Sequence, residues 1–164
     1  MNDQVPSLAF ADILAYTDFL AQRWLKYFKQ NPAALDVNIG GNAGTLCGLA
    51  AHIFQVEHFF GDLLLQEGAG ATRRPAPTGG QSLEELQRTH QEAHKKLAQY
   101  IGAATEETLQ RTRTLGPVTV SDRKTLTQAM LHSVHHWAQV AMEVRQAGFP
   151  AEPPQDIIAS PVMK

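Results

Sequence analysis

Residues 122–148 read DRKTLTQAMLHSVHHWAQVAMEVRQAG. Helical periodicity runs from Asp122 to Ala147, with Ser121 or Asp122 as the N-cap. Gly148 and then Pro150 stop it: glycine accepts the left-handed conformation at a helix end, and proline cannot continue the ladder. His132 and His136 lie four apart inside this helix. Side chains at that spacing stand one turn above each other on one face, and two imidazoles so placed can share one ion.

Working outward, three more segments carry helical spacing. The first runs from Ser7 to Gln30, with Phe10, Ile13, Leu14, Thr17, Leu20, Ala21, Trp24 and Phe28 as its stripe, and Asn31-Pro32 ends it. The second runs from Gly44 to Glu67, with Leu49, His52, Ile53, Val56, Phe59, Phe60 and Leu63 recurring, and Gly68 and Gly70 end it. The third begins at Ser82, where Ser82-Leu83-Glu84-Glu85 is a capping box. Leu83, Leu86, His90, Ala93, Leu97 and Ile101 follow, with Gly102 near the end. The connection Gly68–Gln81 is long and rich in Gly, Pro and Thr. It can cross a bundle end to end, so the second and third helices are expected to run parallel. Thr112–Val120 alternates β-branched and polar residues around Gly116-Pro117, the pattern of a short hairpin. The tail from Phe149 carries four prolines and reads as an extended strap. No repeat or boundary divides residues 1–164, which read as one domain: an all-α four-helix bundle with a short hairpin before the last helix.

Composition sets limits on function. The chain has 164 residues, enough to bury a core without staples, of which 43% are hydrophobic and 18% charged, a globular balance. The formal net charge is -2, and the densest basic run is Arg73-Arg74. Phosphate-gripping domains cluster Lys and Arg on one face, so neither nucleic acid nor an anionic membrane is an expected partner. With the single cysteine Cys47, no intramolecular disulfide is possible, which fits a reducing compartment. Met1-Asn2-Asp3-Gln4 lacks the basic and apolar regions of a signal peptide, and no apolar run reaches spanning length. The expected location is the cytoplasm.

There are seven histidines, and their positions matter more than their number. His52 sits on the apolar stripe of the second helix. A lone histidine there is usually a satisfied core residue, and an i,i+4 pair alone is often a solvated edge; two such sites on two helices point to a shared ion. At about 1.5 Å per residue, His52 lies about 12 Å inside the start of its helix and His136 about 18 Å inside the end of its own. If these helices are antiparallel neighbours, the three rings come level within a few residues. Three neutral imidazoles suit zinc, nickel, copper, cobalt or iron better than magnesium or calcium; zinc or nickel leads, and manganese is also admitted. Three protein ligands leave a position open, as catalytic zinc sites do. His90 and His94 form a rival pair on the third helix, as alternative ligands, a supporting group or a solvated edge. His58 and His135 point away and read as surface or packing residues. No Glu-x-x-His, His-Glu-x-x-His, Gly-x-Gly-x-x-Gly, P-loop or Gly-x-Ser-x-Gly occurs. Cys47 reads as a small buried hydrophobe.

The run Leu131-His132-Ser133-Val134-His135-His136-Trp137-Ala138-Gln139, closing on Arg145-Gln146-Ala147-Gly148, resembles the last-helix signature of DinB/YfiT-like proteins. Leu49-Ala50-Ala51-His52-Ile53-Phe54-Gln55-Val56-Glu57 resembles the second helix of that family, which supplies its first histidine. The layout is similar over most of the chain. The resemblance implies an up-down-down-up bundle with a three-histidine metal site, which it maps onto His52, His132 and His136. It also implies a habit of forming homodimers and, in some relatives, thiol-dependent transfer or isomerisation with a low-molecular-weight thiol such as bacillithiol or mycothiol. The chain departs from the pattern in carrying His90 and His94.

Two functions follow as expectations. One is a metal-dependent enzyme, a thiol S-transferase or hydrolase, acting on a small-molecule substrate with a low-molecular-weight thiol. The ion would lower the pKa of a water or thiol. No general base is assignable, since Glu57 and Glu143 are only near the ligands in sequence. The other is a non-catalytic metal-binding or stress-associated protein.

Overall fold

Capping chemistry divides the chain into its elements. The computed structural model describes residues 7–66, 80–151 and 154–162. Helix α1, Ser7–Gln30, stops at Asn31-Pro32, where a single 3₁₀ turn begins. Two short strands follow, β1 (Asn38–Gly40) and β2 (Gly44–Thr45), paired antiparallel. Helix α2, Leu46–Leu65, starts two residues later than its periodicity suggests. Gly44 holds a φ of 68° that no helix accommodates, and the Thr45 hydroxyl accepts from the Gly48 amide as N-cap.

Helix α3, Leu83–Ala103, opens on the Ser82/Glu85 capping box with both reciprocal bonds made. A short helix, α4 (Glu106–Gln110), was not evident from periodicity; Thr105 and Thr108 cap it. Strands β3 (Thr112–Leu115) and β4 (Val118–Ser121) pair antiparallel, and Ser121 then caps α5, Asp122–Gln146. The chain is thus mostly helical with two small antiparallel sheets. Of the connection expected over Gly68–Gln81, only Gly80 and Gln81 lie within the described residues. Among the described residues, no helix is long and apolar enough to cross a membrane. The tail lies along α1, where the hydroxyls of Tyr27 and Tyr16 donate to the carbonyls of Pro150 and Gln155.

Contacts between helices come in an order. Along α2 and α3 they advance together: Cys47 donates to the Gln81 carbonyl, Phe54 packs on His90, and Asp62 pairs with Lys96. Between α2 and α5 they run in opposite senses, Glu57 meeting Ser133 and His52 meeting His136. α2 therefore has neighbours on two sides and buries more than one stripe. Glu57 and His58 are buried while Val56, Phe59 and Phe60 are only half-buried. His58 is satisfied there by Asp62 at 3.2 Å and by Lys96 at 2.8 Å.

Two apolar clusters fill the interior. One centres on Trp24, Phe28, Phe54 and Trp137, with the two indoles stacked 5.8 Å apart. The other centres on Leu14, Leu64, Leu97, Leu126 and Met130. Between them each of the four long helices places one polar residue: Asp18, Glu57, His90 and Ser133. Ser133 donates to Glu57 Oε1, and His90 Nε2 donates to Asp18 Oδ1 at 2.9 Å. His90 Nδ1 lies 3.8 Å from Glu57 Oε2, beyond hydrogen-bonding reach, so that link is electrostatic. Isolated buried charges are costly, and a layer of this kind persists because its members satisfy one another. Burial pushes the His90 imidazole toward neutrality, but the bond to Asp18 and the two facing carboxylates outweigh it and raise its pKa to about 9. The same bond holds the Asp18 carboxyl below its usual range.

An unfolded histidine loses its proton near about 6.5, whereas folded His90 keeps it to about 9. Between those values the folded state binds more protons, so stability falls as pH rises. The layer's contribution is complete below about pH 6.5 and gone above about 9, on the order of 3 kcal/mol. Urea unfolding across that range should show the decline in the wild type and a flatter profile in His90→Gln. An equal decline in both would place its origin elsewhere.

Candidate metal centre

The antiparallel register of α2 and α5 places the three expected histidines. His52 lies five residues before Glu57 on α2 and His136 three residues after Ser133 on the oppositely directed α5, so the contact between Glu57 and Ser133 puts these two on the same side of it, with His132 one turn from His136. The ring centroids of His52 lie 5.0 Å from His132 and 5.2 Å from His136, and those of His132 and His136 are 4.3 Å apart. One nitrogen from each ring lies within 4.8 Å of the other two, and all three residues are half-buried. Among the described residues, no other three histidine, cysteine or carboxylate groups converge this way.

The donor chemistry fits an ion. His136 Nε2 and His132 Nε2 face each other at 3.1 Å. Two zinc–imidazole bonds of about 2.0–2.1 Å at a tetrahedral angle put their nitrogens about 3.3 Å apart. His136 Nδ1 sits 2.8 Å from the Gln139 carbonyl oxygen. That oxygen can only accept, so with Nδ1 as its donor the ring in its metal-binding, neutral form would present a bare Nε2 toward His132. A bond of this kind fixes tautomer and orientation in metal-bound histidines.

The cluster opens onto a cavity of about 410 Å³. Its walls are Ile39, Ala43 and Leu49, the glycine-rich turn between β1 and β2, and from α5 the side chains of His136, Gln139 and Glu143. Gly40 and Gly41 take φ of 68° and 60° in that turn, conformations that side chains with a Cβ rarely adopt. The turn rests directly on α2 at Gly48, where a Cβ would run into the Ala43 carbonyl oxygen well inside van der Waals contact.

The other histidines lie elsewhere. His90 belongs to the polar layer: its Nε2 is bonded to Asp18, and His94 stands half-exposed with Nδ1 4.0 Å from the same carboxylate. His135 is exposed against the edge of His136, at 5.5 Å. Cys47 is buried with its thiol pushed up by burial, as a small core residue would be. Periodicity did not disclose the roles of Gln139, Glu143 or the β1–β2 turn. The first two follow His136 at three and seven residues, a spacing that shares its face, and Gly40-Gly41 is a turn signal.

The model of the DinB family matches residues 1–160. The crystal structure of a DinB-like protein from Bacillus subtilis, YjoA, is similar with a TM-score of 0.60 at 20% sequence identity, covering 92% of this chain and 96% of that one. At that identity the likeness speaks for the fold. No curated protein matches the chain.

The contact at Gly48 is open to a direct test. Gly48→Ala should push the β1–β2 turn off α2 and cost about 1–3 kcal/mol, as overpacking does. Gly102→Ala, on a helix position with nothing within 4 Å of the new methyl, should instead gain up to about 1 kcal/mol. Thermal melts of the two variants should move in opposite directions; matching losses would mean the turn does not depend on Gly48.

Proposed function

The chain belongs to the DinB family, and from that premise and its three converging imidazoles we propose that it holds one divalent transition-metal ion, zinc or nickel first, on His52, His132 and His136. We further propose that it is a metal-dependent enzyme of the thiol S-transfer or hydrolytic kind. The observation that carries the reading is the convergence of three ring nitrogens at the edge of a cavity large enough for a small molecule. When bound, the ion would supply Lewis acidity, lowering the pKa of a water or thiol beside it.

The chain's own residues do the rest. Gln139 holds the His136 ring in one tautomer. His52 on α2 and His132 and His136 on α5 offer only ring nitrogens, which favours the later transition metals over magnesium or calcium. Leu49, Ile39 and Ala43 cover one side of the cavity with apolar surface and restrict water there.

A specific observation keeps the non-catalytic alternative in view. Glu57, the nearest buried carboxylate to the ligands on α2, is turned into the polar layer and engaged by Ser133. A metal-binding or stress-associated protein needs no base, and that reading stands as the second choice. The proposal includes a cytoplasmic homodimer acting on a small molecule, without nucleic acid or membrane. It also includes an up-down-down-up arrangement of the four long helices with β3 and β4 as a hairpin before the last, which the order of the helix contacts supports.

Protein purified without a histidine tag and stripped with chelator should take up one zinc or nickel per chain at neutral pH. It should gain melting temperature by mass action, since the scattered histidines of the unfolded chain bind the ion poorly. The gain should shrink below about pH 6, because each ligand must lose its proton first. His136→Ala should abolish stoichiometric uptake, Gln139→Ala should weaken it about 10–100-fold, and the double variant His90→Ala with His94→Ala should retain it. Uptake that survives His136→Ala but fails in that double variant would move the site to α3. Assays of the loaded protein with a thiol and a panel of electrophiles then separate enzyme from non-enzyme: turnover lost in His136→Ala supports catalysis, and none supports the second reading.

A further inference from the structure

The cavity has a polarity along its length. Three side chains of α5 line it in succession, His136, Gln139 and Glu143. They follow one another at three and four residues and so climb one face of the helix. Seven residues separate the imidazole from the carboxylate, a rise of about 10.5 Å. The rest of the wall carries the apolar side chains of Ile39, Ala43 and Leu49, with Asn42 and the glycines of the β1–β2 turn beside them and no second charged group. Glu143 is half-buried, is the one carboxylate in the lining, and among the described residues its carboxylate has no hydrogen-bond or ion-pair partner.

We propose that Glu143 is a specificity-determining residue that receives the protonated amine of an elongated substrate, whose reacting thiol lies at the three imidazoles, two helical turns back along α5. The inference rests on the metal-site reading above and names the class of ligand that site takes: a small aminothiol-type molecule, nucleophilic at one end, cationic at the other and aliphatic between. The two ends of the cavity have opposite electrostatic demands. A cation bound among neutral imidazoles draws the anionic form of the thiol, while the carboxylate two turns along α5 draws a positive charge and repels a negative one. Gln139, engaged with His136, marks the midpoint and supplies no charge. A ligand with a carboxylate at its far end would bring two negative charges together in a partly enclosed space, a mismatch that costs affinity.

Three thiols on a six-carbon chain test this directly: 6-amino-1-hexanethiol, 6-mercapto-1-hexanol and 6-mercaptohexanoic acid, titrated calorimetrically into the zinc-loaded protein at neutral pH. The amine should bind about tenfold more tightly than the alcohol, with the acid weakest. In Glu143→Gln the three affinities should converge to within about twofold, and in Glu143→Lys the order should invert. Zinc affinity should be unchanged in both variants, which shows that each is folded with the imidazole site intact. Zinc-dependent binding of all three thiols without preference for the amine, or a preference that survives both substitutions, overturns the inference and leaves the metal site standing. Thiol binding that ignores zinc also overturns the inference alone, whereas failure to bind zinc overturns the metal-site reading itself and this inference with it.

Discussion

The hydrogen bond from Ser133 to Glu57 ties α2 to α5 at mid-height, and the metal centre depends on it. A buried carboxylate without partners costs several kcal/mol, and one hydrogen-bonded to a hydroxyl and facing a protonated imidazole does not. Sliding α5 along α2 by one turn, about 5.4 Å, would strand Glu57, Ser133 and the charge on His90 together. Apolar packing alone tolerates such slips far better, because Leu, Val and Ala exchange places at modest cost. The polar layer thus sets the register. Register in turn decides whether His52 meets His132 and His136, since all three ligands lie within five residues of the layer on their own helices.

Rotation of α5 about its axis is set by a different force. Trp137 is fully buried and stacks on Trp24 at a 10° interplanar angle while packing against Phe54. Burying an indole of that size is among the larger single contributions a side chain makes. With Trp137 turned into the core, its predecessor His136 is rotated about 100° around the helix, toward the side where His52 stands. The same rotation carries Gln139 and Glu143 into the cavity wall. One helix therefore supplies ligands, an orienting amide and a charged far end, all as consequences of a single anchored indole.

Much of this was legible in the sequence, for identifiable reasons. The ends of α1 and α5 and the start of α3 were fixed by Asn31-Pro32, Gly148 and the Ser82/Glu85 capping box, signals that act within a few residues. The histidine set was legible because i,i+4 spacing survives any error in helix ends. What escaped was chemistry that exists only after packing. Periodicity on α2 assigned Val56, Phe59 and Phe60 to the interior and gave no hint that Glu57 and His58 are the buried residues. A helix with two neighbours buries more than one stripe, and its polar members are satisfied by partners distant in sequence: Ser133 for Glu57, Lys96 for His58. His90 looked like a possible ligand for the same reason; only the position of Asp18, 72 residues away, shows where its proton is committed. The β1–β2 turn was missed although Gly40-Gly41 announces it, because three- and two-residue strands carry no alternation to read.

The account's central claim is that nitrogen from three imidazoles, and nothing else in the chain, binds the ion. X-ray absorption at the metal edge of the zinc- or nickel-loaded protein measures this without reference to activity. The claim predicts three imidazole nitrogens at about 2.0–2.1 Å, visible through the outer-shell scattering of their rings, with any remaining donor a light atom. A sulfur donor at about 2.3 Å, which among this chain's cysteines only Cys47 can supply, or a first shell with fewer than three imidazoles, would contradict it.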